Sequence, residues 1–186
     1  MRVTFVTGNQ HKAELLAKFL GYPMEHQKVD LDEIQSLDLR EIVEHKVRQA
    51  YAVVKGPVLV EDISLSFRGM GKLPGPFIKW FEQELGLEKI CRMLDSYTDR
   101  SAIAAVTFAY YDGTHLKLFE GRAEGTITES VRPGDNSFGW NSIFVPAGST
   151  KAYVEMTDEE QEKFGLRTTT VYPQIREFLR ELGRIK

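Results

Sequence analysis

Val3-Thr4-Phe5-Val6-Thr7-Gly8-Asn9-Gln10-His11-Lys12 reads as a strand running into a helix through one tight turn. Val3 to Val6 cluster β-branched and aromatic residues, which suit a pleated, buried surface, and Thr7, Gly8 and Asn9 break the run. Leu15, Leu16, Phe19 and Leu20 then place an apolar face on a helix that Gly21 and Pro23 end. A strand delivered into a helix N-terminus is the repeating joint of α/β proteins.

The rest of the chain agrees with that class. Leu39, Ile42, Val43, Val47, Ala50 and Val54 recur at helical spacing up to Gly56-Pro57. Val58 to Val60 form a short apolar strand with Glu61-Asp62 at its exit, and the Gly- and Pro-rich residues 66–76 read as loop. Phe77 to Leu85 and Leu87 to Leu94 read as two short helices hinged at Gly86. Ala102 to Tyr111 and Leu116 to Thr128 form a hairpin around Asp112-Gly113, so the sheet is expected to be mixed. After a loop over 131–142 come a strand at Ile143 to Val145 and a helix opened by Thr157 and Glu160 at capping-box spacing. Ile175, Phe178, Leu179 and Leu182 mark a last helix, with Pro173 in its first turn.

The length of 186 residues and 42% hydrophobic content suit a single domain with a real core. The 24 Lys and Arg against 27 Asp and Glu leave a mildly acidic chain without a basic stripe, which argues against nucleic acid as a partner. A lone cysteine, Cys91, excludes a disulfide framework and a cysteine-built zinc site, and is read as a small core residue. The first apolar run is too short for a signal peptide, and no stretch approaches the ~20 apolar residues of a membrane span. The expectation is a cytoplasmic protein.

Three segments have the chemistry for a site. In Thr7-Gly8-Asn9-Gln10-His11-Lys12, a glycine between strand and helix lets the backbone turn sharply, so that amides and the helix dipole favour an anion and Lys12 adds positive charge. The alternative is a plain helix cap with a solvated lysine. No Walker sequence occurs, and the Gly69–Pro76 loop lacks the third glycine of a dinucleotide fingerprint. Glu61-Asp62, with Glu33 from the acidic loop at 30–33, offers oxygens to a hard cation such as Mg²⁺; otherwise these residues solvate a strand end. Phe138-Gly139-Trp140-Asn141 offers ring faces and an amide to a planar base, or else plugs the core. Phe77, Trp80 and Phe81 are read as core or dimer surface, and the four histidines are given no catalytic role.

Taken in order, these segments resemble the inosine triphosphate pyrophosphatase family. The matching residues are Val6-Thr7-Gly8-Asn9-x-x-Lys12-x-Glu14, Val60-Glu61-Asp62, Leu73-Pro74-Gly75-Pro76-Phe77-Ile78-Lys79-Trp80-Phe81, Phe138-Gly139-Trp140, Phe144-x-Pro146-x-Gly148 and Glu155-Met156. The resemblance implies one two-lobed domain over 1–186, an elongated mixed α/β fold with a central nucleotide cleft, a homodimer and Mg²⁺. It implies that Thr7, Gly8, Asn9, Gln10, His11 and Lys12 hold the triphosphate, that Glu33 and Asp62 bind the metal, and that Asp62 activates the attacking water. Phe138, with Gly139, Trp140 and Asn141, would form the base pocket with Arg167.

The implied activity is hydrolysis of the noncanonical purine nucleotides ITP, dITP and XTP to a nucleoside monophosphate and pyrophosphate. Two departures bear on the base. Asn141 stands where the family usually has Asp, and Gln161 falls on the family's Lys position, with Gly165-Leu166 replacing Ser-His before Arg167. A donor such as Arg167 pairs with the keto oxygen of hypoxanthine or xanthine and opposes adenine's amine, so a required hydrogen bond supplies discrimination. The alternatives are a Maf-type pyrophosphatase acting on pyrimidine or modified nucleotides, and a nucleotide-binding protein without turnover.

Overall fold

The computed structural model describes residues 2–135 and 138–185. The elements run β1 (Thr4–Val6), α1 (Gln10–Leu20), β2 (Glu25–Gln27), α2 (Leu39–Val54), β3 (Val58–Phe67), β4 (Pro74–Gly75), α3 (Ile78–Leu85), α4 (Leu87–Arg92), β5 (Ser101–Tyr111), β6 (Leu116–Ile127), β7 (Phe144–Pro146), α5 (Asp158–Phe164) and α6 (Tyr172–Glu181). The sheet order is β2-β1-β3-β5-β6-β7, with β4 on β3. β1 pairs parallel with β2 and β3, whereas β3–β4 and β6–β7 are antiparallel, so the sheet is mixed as expected. No helix among the described residues is long and apolar enough to cross a membrane.

The chain forms two compact units. One holds the residues up to Asp62, Val106–Gly121 and the chain from Thr170 onward; the other holds Ile63–Ala105 and Arg122–Thr169. In the first, strand alternation sends β1 side chains to both faces. Val6, Val58, Val60 and Ala109 pack with Val43, Val47 and Ala50 of α2. Phe5 meets Phe108 with ring centroids 5.7 Å apart, and Tyr172 and Phe178 of α6 join Phe108, Tyr110 and Phe119. Pro173 sits in the first turn of α6, where no intrahelical amide is needed.

The second unit buries Ile78, Ile90, Cys91, Leu94, Phe144 and Tyr153. Arg100 ties it together, donating to the carbonyls of Ile127 (3.1 Å), Cys91 (2.8 Å) and Thr128 (2.7 Å). Burial pushes the Cys91 thiol up, in keeping with an inert core residue. Thr157 and Glu160 make the expected capping box at the start of α5, each side chain accepting from the other's backbone amide.

Three local expectations need correction. Leu15 is 45% exposed, and the buried face of α1 is Ala13, Leu16 and Leu20. β3 does not end at Val60: Leu65 and Phe67 extend the buried face by alternation, leaving Glu61-Asp62 within the strand rather than at its exit. Residues 66–76 are only partly loop, because Leu65 and Ser66 pair with Gly75 and Pro74 and so give the far end of β3 a ladder partner. Of the aromatics read as core or dimer surface, Trp80 is 55% exposed, which is compatible with the second reading, and Ile78 is the buried anchor of α3. In the 131–142 loop, 136 and 137 lie outside the described residues, and Gly139–Ser142 form a 3₁₀ turn.

Candidate active site

In the first unit the β1–α1 turn is built from two short contacts. Asn9 caps α1, its Oδ1 accepting from the Lys12 amide at 3.1 Å, and Thr7 Oγ1 accepts from the Asn9 amide at 3.2 Å. The Gln10 and His11 amides, in the first turn of α1, belong to the set that a helix leaves unpaired at its N-terminus. Gly8 is not held in the left-handed region, and a Cβ built on it would meet nothing within 4 Å. The glycine therefore satisfies no steric demand of the protein itself. It leaves open the space that the turn faces.

Glu61 and Asp62 are consecutive in β3 and point to opposite faces. Each meets a lysine from a different helix. Lys12 of α1 forms an ion pair with Glu61, whose side chain is almost fully buried. On the other face, Asp62 continues the row of Val58 and Val60, which pack on α2, and there Lys46 Nζ lies 3.1 Å from Asp62 Oδ2. The same ammonium reaches Glu33 Oε1 at 3.3 Å and the Glu61 carbonyl at 3.4 Å. Burial works to lower the Lys46 pKa, but the Asp62 and Glu33 carboxylates outweigh it and hold the ammonium above its ordinary value.

The structure thus brings Glu33 and Asp62 together through Lys46, a residue the sequence reading passed over. A signal was present: Ile42, Lys46 and Ala50 are spaced by four, so a lysine stands in the apolar stripe of α2. His26 of β2 was also passed over, and its Nε2 lies 2.7 Å from the Thr7 carbonyl.

No group of three or more His, Cys, Asp and Glu side chains poised for a metal occurs among the described residues. The donor set nevertheless fits Mg²⁺. Glu33 and Asp62 supply hard oxygens to one shared cation, here the Lys46 ammonium, and three carboxylates against two ammonium groups leave a polyanion short of positive charge.

The remaining candidates lie in the second unit. Phe138 is 42% exposed and precedes the 3₁₀ turn, where Gly139 has φ +54°, a left-handed conformation that glycine adopts without the strain a Cβ brings. Trp140 is only 5% exposed, packed edge-on to Phe144 at 5.4 Å and beside Tyr153 at 6.2 Å. It is a core plug that fixes the turn, its Nε1 buried without a hydrogen-bond partner among the described residues, while Phe138 presents the ring. The Asn141 amide donates to the Phe138 carbonyl at 3.1 Å.

Arg167 opens a π-helical stretch, Arg167–Val171, which follows α5 after Gly165 and Leu166. Gln161 is committed locally: its Nε2 donates to the Tyr153 carbonyl at 2.7 Å, and the Tyr153 hydroxyl donates to the Phe164 carbonyl at 2.9 Å. Burial pushes the Tyr153 phenol up to about 12. Lys163 is exposed, with its ammonium 5.2 Å from the centre of the Phe164 ring.

The chain and its fold have relatives among known proteins. The Ham1 family profile matches residues 3–172, and the chain belongs to that family. Its relatives include an inosine triphosphate pyrophosphatase of Schizosaccharomyces pombe, 41% identical over 95% of this chain and 94% of that protein. One of Kluyveromyces lactis is 39% identical over 97% of each chain. The Ham1 protein structure of Staphylococcus aureus superposes with a TM-score of 0.84 at 20% identity, covering 98% of this chain and all of that one. A HAM1 protein from Coxiella burnetii gives 0.83 at 21% identity, over 97% and 99%. At those identities the structural likeness establishes the fold.

Proposed function

We propose that this chain is a nucleoside triphosphate pyrophosphatase that converts ITP, dITP and XTP to the nucleoside monophosphate and pyrophosphate. The observation that carries the reading is the pairing of Asp62 and Glu33 on the Lys46 ammonium, in the same unit as the amide-lined Thr7–Lys12 turn. The relatives named as inosine triphosphate pyrophosphatases, matched over nearly their whole length, support the choice of substrate.

In this reading the Gly8, Gln10 and His11 amides and the Lys12 ammonium hold phosphate oxygens. Asp62, fixed in orientation by Lys46, takes the proton of the water that attacks the α-phosphorus, and pyrophosphate leaves. Glu33 and Asp62 would hold Mg²⁺, which would supply charge neutralisation of the phosphates. Phe138 stacks on the base, and Arg167 donates to its six-position keto oxygen. The reading includes a homodimer, checked by light scattering.

Pyrophosphate release from ITP, XTP, GTP, ATP and a pyrimidine triphosphate tests it. Preference for ITP and XTP supports the proposal. Preference for the pyrimidine nucleotide, or ITP binding without release, overturns it.

A further inference from the structure

We propose that His26 is a positioning residue for the phosphate turn, holding the Thr7 carbonyl so that the Gly8 amide faces the anion. The inference rests on the pyrophosphatase reading. Thr7 O can only accept, so the Nε2 atom at 2.7 Å carries the hydrogen and the ring is a donor. In a trans peptide the carbonyl and the following N–H point in opposite directions. Tying Thr7 O to the β2 side therefore turns the Gly8 N–H away from β2, and no described residue accepts from it.

Two other amides of the turn have fixed duties: Asn9 N–H donates to Thr7 Oγ1 and Lys12 N–H to Asn9 Oδ1. No capping contact sets the plane of the Thr7–Gly8 peptide. Were it to rotate, a carbonyl oxygen would face the phosphate in place of a donor, and like partial charges would repel.

The β-ladder does not require the imidazole. Phe5 is already in register with His26, and Thr7 N–H already donates to the Gln27 carbonyl at 3.2 Å. His26 lies on an exposed strand, so its contact with Thr7 adds orientation rather than core packing.

The test compares wild type with His26→Ala and with His26→Gln, whose amide can donate to the same carbonyl. Pyrophosphate binding is measured by calorimetry with Mg²⁺, alongside steady-state ITP hydrolysis, inhibition by IMP and thermal melting. His26→Ala is expected to weaken pyrophosphate binding and raise KM for ITP by roughly 3- to 10-fold, the scale of one hydrogen bond. IMP inhibition and Tm should be unchanged, and His26→Gln should restore most of the loss. Unchanged pyrophosphate affinity in His26→Ala, equal weakening of pyrophosphate and IMP with a lowered Tm, or no pyrophosphate binding by wild type overturns the proposal. A wild type that binds pyrophosphate but releases none from ITP refutes the pyrophosphatase reading instead, and the calorimetric comparison still decides the role of His26.

Discussion

Lys46 Nζ lies 3.1 Å from Asp62 Oδ2, and the same ammonium is 3.3 Å from Glu33 Oε1. One lysine on α2 thus holds a strand carboxylate and a loop carboxylate in a common position. Replacing Asp62 with Asn keeps the shape and removes the proposed base, so kcat for ITP should fall by about 10²- to 10⁴-fold, with Tm little changed. Replacing Lys46 with Met frees Asp62 to turn and should lower kcat by about 10²-fold. Pyrophosphate release and melting curves on both variants check the pair.

The open space at Gly8 separates stability from binding at a single position. A Cβ there meets no protein atom within 4 Å, and the backbone is not left-handed. Gly8→Ala should therefore leave the fold as stable as before, or stabilise it by about 0.4–1 kcal/mol through the unfolded chain. On the proposed reading the added methyl would occupy phosphate space, and KM for ITP should rise by at least about tenfold. A variant with unchanged KM would show that the space is not used.

Phe138 and Trp140 should differ in kind. Phe138→Ala removes a half-exposed ring and should weaken ITP binding by roughly 5- to 100-fold, the range of base–aromatic stacking, with little change in Tm. Trp140→Ala removes a buried ring packed on Phe144 and Tyr153 and should cost about 3–5 kcal/mol of stability. Chemical denaturation and ITP titration of both variants distinguish the plug from the platform.

Asp112, at the β5–β6 turn, gives the protein an acid-sensitive point. Burial works to raise its pKa, but the amides of His115 (2.8 Å) and Thr114 (3.0 Å), the His115 ring and the Tyr110 hydroxyl (3.1 Å) overcome it and lower it to about 2. A lowered carboxyl pKa means stability that is fully present above the unfolded value of about 3.9 and is lost as pH falls toward 2. The loss should be at most about 2 kcal/mol. In Asp112→Asn that fall in stability between pH 4 and pH 2 should shrink, as read by urea denaturation at a series of pH values.

Much of this was legible along the chain because its causes are local. The β1–α1 joint, the hairpin around Asp112-Gly113 and the Thr157–Glu160 capping box each depend on residues within a few positions of one another. Leu15 misled because it borders the apolar stripe of α1, and only the packing of the helix decides which border faces the sheet. β3 outran its apparent end because its continuation is stabilised by Pro74 and Gly75, which approach from a segment whose composition reads as loop.

By itself, then, the sequence determined the class of the fold, the strand–turn–helix joint at Thr7–Lys12 and the acidic residues at hand, since period, capping and turn chemistry are properties of short stretches. Only the tertiary structure decided that Lys46 joins Glu33 to Asp62, that Lys12 meets Glu61 and that His26 holds Thr7. These partners lie far apart along the chain, and what unites them is the seating of α1, α2 and β2 around β1 and β3, which no local periodicity encodes.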